Sequence, residues 1–169
     1  MKFIADGMLG KLTRWLRILG QNVKYFNKLN DNQLLTIAKK EKRILLTRDL
    51  ELYKQATTKN INAFYIEGEN EAERLAKIAK RFNIKLKVDM TTSRCPKCNI
   101  RVKPVAKEHV IDKVEKSTFT YYDNFWECPK CEQIYWQGAH WPRIRKTLEQ
   151  AKENLKKLKK AKSTLKPQI

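Results

Sequence analysis

The stretch FIADGMLGKLTRWLRILG, residues 3–20, decides the fold. Lys2-Phe3-Ile4-Ala5 reads as a short buried strand that ends at Asp6. Met8, Leu12, Trp15, Leu16 and Leu19 then recur at helical spacing over residues 8–19, and Gly20 is a natural stop. The unit repeats outward. Val23-Lys24-Tyr25-Phe26 is a second strand, followed by a helix over residues 32–41. Arg43-Ile44-Leu45-Leu46-Thr47 is a third, with a short helix from Leu50. Asn62-Ala63-Phe64-Tyr65-Ile66 is a fourth, with a helix through Leu75 and Ile78. Ile84-Lys85-Leu86-Lys87-Val88 alternates and reads as a fifth, edge strand. Units of this length predict an α/β fold, a parallel sheet with helices on both faces.

The 169 residues hold 37 Lys+Arg against 18 Asp+Glu, a formal net charge of +19. That balance points to a polyanionic partner. No run of about 18 apolar residues exists to span a membrane. At the N-terminus Asp6, Lys11, Arg14 and Arg17 come too early for a secretory signal, which predicts a cytoplasmic protein. The last 28 residues carry ten cations and two anions, close to half the excess. The chain divides accordingly into residues 1–91, 92–141 and 142–169.

The middle segment holds all four cysteines, as two identical tetrapeptides. Cys95-Pro-Lys-Cys98 and Cys128-Pro-Lys-Cys131 are separated by 29 residues. A two-residue spacer lets both thiolates of a tight turn face one ion, so the pattern predicts a four-thiolate zinc site in a small antiparallel ribbon. The competing explanation, two disulfides, belongs to an oxidising compartment. Phe119, Tyr121, Tyr122, Phe125, Trp126, Tyr135, Trp136 and Trp141 crowd the same region. They serve either as the mini-core of a domain too small to bury much surface, or as stacking surfaces for unpaired bases.

In the last segment Ile144, Leu148, Ala151, Leu155 and Leu158 step by four, three, four and three, one apolar stripe on a helix from about Arg143 to Lys162. Lys152, Lys156, Lys159 and Lys160 are candidate phosphate contacts, against the plainer reading of a solvated face on a docked helix.

Asp6, Asp31 and Asp49 each follow a strand and precede a helix. In a parallel sheet all three lie along the carboxyl edge, where open α/β folds place ligands. Each also has an ordinary explanation as a helix N-cap. Carboxylates gathered on one edge favour a divalent cation, Mg²⁺ or Mn²⁺, with positions left for phosphate oxygens. Lys11, Arg14 and Arg17 step along the first helix and Arg48 adjoins Asp49, all candidates for holding phosphates. Gly7 to Thr13 only superficially suggests a P-loop: Ala5 stands at the first glycine position and Leu12 at the Ser/Thr position, so no nucleoside triphosphate site is predicted.

These residues carry a resemblance. FIADGMLGKLTRWLRILG, N-D-N-Q-L-L at 30–35, R-I-L-L-T-R-D at 43–49, R-C-P-K-C-N at 94–99, W-E-C-P-K-C at 126–131 and Y-W-Q-G-A-H-W at 135–141 resemble the Mut-seven C-terminal RNase domain family over about residues 2–143. The resemblance implies a PIN-like nuclease fold with a zinc ribbon and a metal-dependent endoribonuclease. Asp6, Asp31 and Asp49 match the acidic positions, and Thr47-Arg48-Asp49 looks like the T-x-D element of PIN domains. Glu67, Glu69 and Glu71 compete for a fourth acidic position, and A-E-R-L-A-K at 72–77 stands where a Gln-Leu pair is expected. The alternative function is a non-catalytic RNA- or ribosome-associated protein on the same scaffold.

Overall fold

The computed structural model describes residues 1–163. Four strands, β1 (Lys2–Ala5), β2 (Asn22–Tyr25), β3 (Ile44–Thr47) and β4 (Ala63–Tyr65), form a parallel sheet in the order β2-β1-β3-β4. Between them run α1 (Gly10–Ile18), α2 (Asp31–Lys40) and α3 (Leu50–Thr58), and α4 (Glu71–Phe82) follows β4. Side chains alternate across the sheet as the pleat requires. Phe3, Ala5 and Leu46 pack with α1 and α4 on one face, while Ile4 and Leu45 pack with α2 and α3 on the other. Phe82 meets both Phe3 and Phe64 edge-on, at 5.2 and 5.5 Å between ring centres.

The predicted fifth strand does not form. Asn83 takes the left-handed conformation (φ 54°) that ends α4, and the chain then continues without a ladder partner. Ile84 and Leu86 are buried in the core beside Val88, whereas Lys85 and Lys87 point outward. Alternation therefore reported which side chains are buried, not whether the backbone pairs.

Residues 103–135 contribute three short antiparallel strands, β5 (Lys103–Val105), β6 (Phe125–Glu127) and β7 (Ile134–Tyr135), with α5 (Lys116–Tyr121) inserted. Phe125 and Ile134 form a small core with Phe119, Tyr122 and Trp136, and Trp126 and Tyr135 pack against the Cys95, Val102 and Cys128 cluster, so the mini-core explanation holds for six of the eight aromatics. Tyr121, 81% exposed, and Trp141 fall outside these cores. The long helix α6 (Trp141–Ser163) lies along α4. Its stripe of Ile144, Leu148, Ala151 and Leu155 enters the core of the parallel sheet, and Lys80 Nζ donates to the Leu158 carbonyl. The last six residues of the basic segment 142–169 lie outside the described residues. No helix among the described residues is long and apolar enough to cross a membrane.

The ribbon is tied to the sheet at β2, which is an edge strand. An edge strand presents unpaired N–H and C=O groups. Here Asn99, next to Cys98, accepts from the Val23 N–H (3.1 Å), and Arg17 donates to the Val23 carbonyl through Nε and Nη2 (3.0 and 2.7 Å). The same guanidinium reaches the Pro96 and Lys97 carbonyls through Nη1 (2.7 and 3.1 Å). Arg17 is thus not the surface phosphate ligand that its helical spacing suggested. It is 6% exposed, and its donors are spent on backbone carbonyls. Replacing Arg17 with Leu strips the buried Val23 carbonyl and the part-buried Pro96 and Lys97 carbonyls of a charged donor. We expect a loss of about 2–4 kcal/mol in urea unfolding of the zinc-loaded protein, with Arg17→Lys recovering little because one ammonium does not span both sides.

Candidate functional site

Two groups of residues can do chemistry, one at the carboxyl edge of the parallel sheet and one at the twin knuckles. At the edge, β1 runs directly into Asp6, which caps a 3-10 turn over Gly7–Leu9. Asp6 is 5% exposed. Its Oδ1 accepts from the Met8 N–H (2.8 Å), and its Oδ2 accepts from the Thr47 hydroxyl and the Arg48 N–H (3.2 Å). Thr47, fully buried at the end of β3, in turn accepts from the Asp49 N–H at 2.9 Å. One threonine hydroxyl therefore links the two carboxylate-bearing turns after the adjacent strands β1 and β3. Asp49 caps α3, its Oδ1 accepting from the Glu51 and Leu52 N–H groups (2.8 and 3.1 Å).

Asp31 differs. Asn30 caps α2 in a reciprocal box with Gln33, each backbone N–H meeting the other's side chain at 3.0 Å. Asp31 is left exposed at the first helical position, with no capping duty. The N-x-x-Q spacing was the available signal. Among the three candidates for a fourth acid, Glu67 pairs with Lys77 at 3.3 Å and Glu69 is exposed. Glu71 pairs with Arg74 at 2.6 Å, and its Oε2 is buried without a hydrogen bond. Glu71 begins α4, just after the loop from β4, so the strand order places the acids along the edge as Asp31, Asp6, Asp49, Glu71.

Carboxylate oxygens suit a hard cation in donor type. In spacing the edge is looser: among the described residues, the group of three or more potential ligand atoms lying within 4.8 Å of one another is the four cysteines. Lys11, Arg14 and Arg48 are exposed on the elements that leave this edge, and Lys152, Lys156, Lys159 and Lys160 are exposed on α6. Gly10 has a packing role rather than a phosphate-cradling one. A Cβ there would come within 2.8 Å of the Tyr25 hydroxyl, which donates to the Gly7 carbonyl.

The knuckles are two copies of one turn. The Cys95 N–H donates to the Ile100 carbonyl and the Asn99 N–H to the Cys95 carbonyl. Cys128, Gln133 and Glu132 repeat the pattern at the second knuckle. Each turn needs a left-handed residue after its second cysteine, filled by Asn99 (φ 68°) and Glu132 (φ 58°). The sulfurs face one another across the turns, Cys95 to Cys131 at 3.6 Å and Cys98 to Cys128 at 3.2 Å, far outside the S–S bond length of about 2 Å. All four are free thiols. Tetrahedral zinc–thiolate bonds of about 2.3 Å place sulfurs roughly 3.8 Å apart, so the donor set fits zinc.

The Tyr135 hydroxyl lies 3.1 Å from Cys95 Sγ, a supporting contact that sequence patterning alone did not reveal. At Cys95 burial works upward, but the Tyr135 phenol and the Cys98 and Lys97 N–H groups outweigh it and bring the thiol down to about 7. Burial, with the Cys128 thiol next, pushes Cys98 up to about 12. Arg17 faces the same cluster. Burial pulls its guanidinium below the usual range, and Cys95 and Cys98 pull it back.

Zinc must displace the high-lying Cys98 proton, so its affinity should fall as pH falls. We expect one zinc per chain by metal analysis at neutral pH and release on acidification toward pH 5. Cys98→Ser should cost the ribbon its structure while the helical signal of the parallel sheet persists. Absence of zinc with cysteines oxidised to disulfides would contradict this.

Residues 1–148 match the family model described as the Mut7-C RNAse domain, a span that includes both the carboxylate edge and the two knuckles. No curated protein and no solved structure matches the chain. The family description carries a nuclease-like, RNA-related function, in keeping with a net charge of +19. With most of its length inside that match, the chain belongs to the Mut7-C RNAse domain family.

Proposed function

We propose that the protein is a metal-dependent endoribonuclease of PIN-like architecture that hydrolyses RNA phosphodiester bonds at the carboxyl edge of the parallel sheet. The observation that carries this reading is the Asp6–Thr47–Asp49 linkage, which fixes two carboxylates on neighbouring strand ends. Asp6 is locked by three donors, Thr47 sets its orientation, and Asp49 keeps Oδ2 without a partner among the described residues. Asp6, Asp49 and Asp31 would hold Mg²⁺ or Mn²⁺. A divalent cation held there polarises the phosphate and eases deprotonation of the attacking water. Lys11, Arg14 and Arg48 neutralise phosphates on either side of the cut. A zinc ion on Cys95, Cys98, Cys128 and Cys131 closes the ribbon, which suits the reducing cytoplasm.

The spacing of the edge favours a second reading, a non-catalytic protein bound to RNA or the ribosome, because among the described residues the carboxylates do not form a tight cluster. One assay separates the two. Cleavage of a structured RNA with Mg²⁺ or Mn²⁺ should be present in the wild type and reduced about 100-fold or more in Asp49→Asn. Asp49→Asn keeps the cap oxygen on α3 and is the cleaner variant. Asp6→Asn should abolish cleavage too, but it places an amide opposite three donors and should lower stability by about 1–2 kcal/mol. Wild-type RNA binding without cleavage under either metal would select the second reading.

The α6 lysines serve either reading as a clamp on the backbone. Lys152, Lys156, Lys159 and Lys160 changed together to Gln should flatten the plot of log K against log salt by about 0.7 to 0.9 per lost contact. The melting temperature should hold, because the stripe that docks α6 is untouched. An unchanged slope would return α6 to a purely structural role.

A further inference from the structure

We propose that the cavity between the knuckles, α5 and the start of α6 is a nucleobase pocket, holding one unstacked base of a single-stranded RNA whose backbone leads to the carboxylate edge. The inference rests on the RNA-directed function proposed above and adds a subsite to it. The cavity has a volume of about 570 Å³. Tyr122, Tyr135, Trp136 and Trp141 line it, and Tyr121 stands at its rim 81% exposed. Aromatic faces of this kind stack on bases of any sequence, and an exposed tyrosine beside an apolar cavity is a ready platform. Ser117, Thr118 and His140 add hydrogen-bonding groups for a base edge.

Placement supplies the second argument. The helix α1 begins at Gly10, beside the turn that Asp6 caps, and ends at Ile18 in the wall of the cavity. At ~1.5 Å per residue that is about 12 Å, a span of a few nucleotides. A second groove runs along the same helix past Thr13, Arg14 and Lys97, and it shares Pro96 and Tyr135 with the cavity. Arg14 and Lys97 are exposed cations suited to phosphates. Thr13, 1% exposed, has a hydroxyl with no hydrogen-bond partner, and it belongs to the lining of this groove. A groove that runs from the start of α1 past Arg14 and Lys97 to an aromatic cavity complements a polyanion carrying flat apolar groups. A hydrophobic peptide or a second copy of the chain would fill the cavity but leave the groove unexplained.

The test uses the zinc-loaded full chain without added Mg²⁺ or Mn²⁺, and two labelled ten-nucleotide probes. One is oligoadenylate, and the other is an abasic ribose-phosphate chain of equal charge. Oligoadenylate should bind about 5- to 100-fold tighter and quench tryptophan fluorescence, which the abasic chain should not. Tyr121→Ala should remove most of that preference at unchanged melting temperature, zinc content and salt slope, and Tyr121→Phe should restore it. Equal binding of the two probes, or an unaltered preference in Tyr121→Ala, overturns the pocket while leaving RNA cleavage to stand on its own assay. Failure of the wild type to bind either probe overturns the pocket together with the RNA reading. Concentration-dependent self-association that Tyr121→Ala abolishes, without base preference in the wild type, assigns the cavity to a second copy instead.

Discussion

The buried guanidinium of Arg17 is the interaction on which the rest of the arrangement depends. It is satisfied only when β2 stands on one side of it and the first knuckle on the other. A charged group taken out of water is costly unless its donors are met and an opposite charge lies near. The carbonyls of Val23, Pro96 and Lys97 meet the donors, and Cys95 and Cys98, as thiolates, would favour its charge. Around it a set of polar contacts joins ribbon and sheet: Asn99 on Val23 and Asn22, Ser93 on the Ile18 carbonyl, and the Arg94 N–H on the Arg17 carbonyl. The two lobes are keyed together by directional bonds rather than by a shared apolar core, and such bonds fix orientation more tightly than oily contact does.

At the carboxyl edge the residues proposed for the chemistry also carry structure. Asp6 and Asp49 each end a helical segment's list of unmet N–H groups, and each does so with a carboxylate where an asparagine or serine would also serve. Thr47 adds a bond that no cap requires. A hydroxyl that donates to one acidic turn and accepts from the next makes the spacing between them a property of β3, not of two flexible loops. That is how a short parallel sheet gains rigidity at the place where reactants would sit.

Much of this was readable before any coordinates. Four parallel strands were written in runs such as Ile44 to Thr47, because both faces of the sheet are buried and the runs are unbroken. The knuckles were readable because their spacing is dictated by one turn. Arg17 was not, since its helical step matches that of Lys11 and Arg14, and only the distant arrival of Pro96 and Lys97 separates it from them. Asp31 read as a possible cap until Asn30 took that role through Gln33. Ile84 to Val88 kept its alternating burial but found no neighbouring strand to pair with. For Arg17 and for Ile84 to Val88 the missing information was long-range partnership, which local pattern does not encode; for Asp31 it was local, in the spacing of Asn30 and Gln33.

The cap on β2 has a consequence for how the chain is made. Val23 is covered by Asn99, which lies 76 positions later in the sequence. Were the sheet to form while that interval is still being synthesised, its β2 edge would stand open, and open strand edges recruit other chains. The knuckle that closes it carries two of the four cysteines that can hold zinc. If zinc holds that knuckle as proposed above, its supply during translation governs more than the ribbon: a cell short of zinc would be expected to lose this protein to co-aggregation of half-finished sheets before any mature molecule lost its ion.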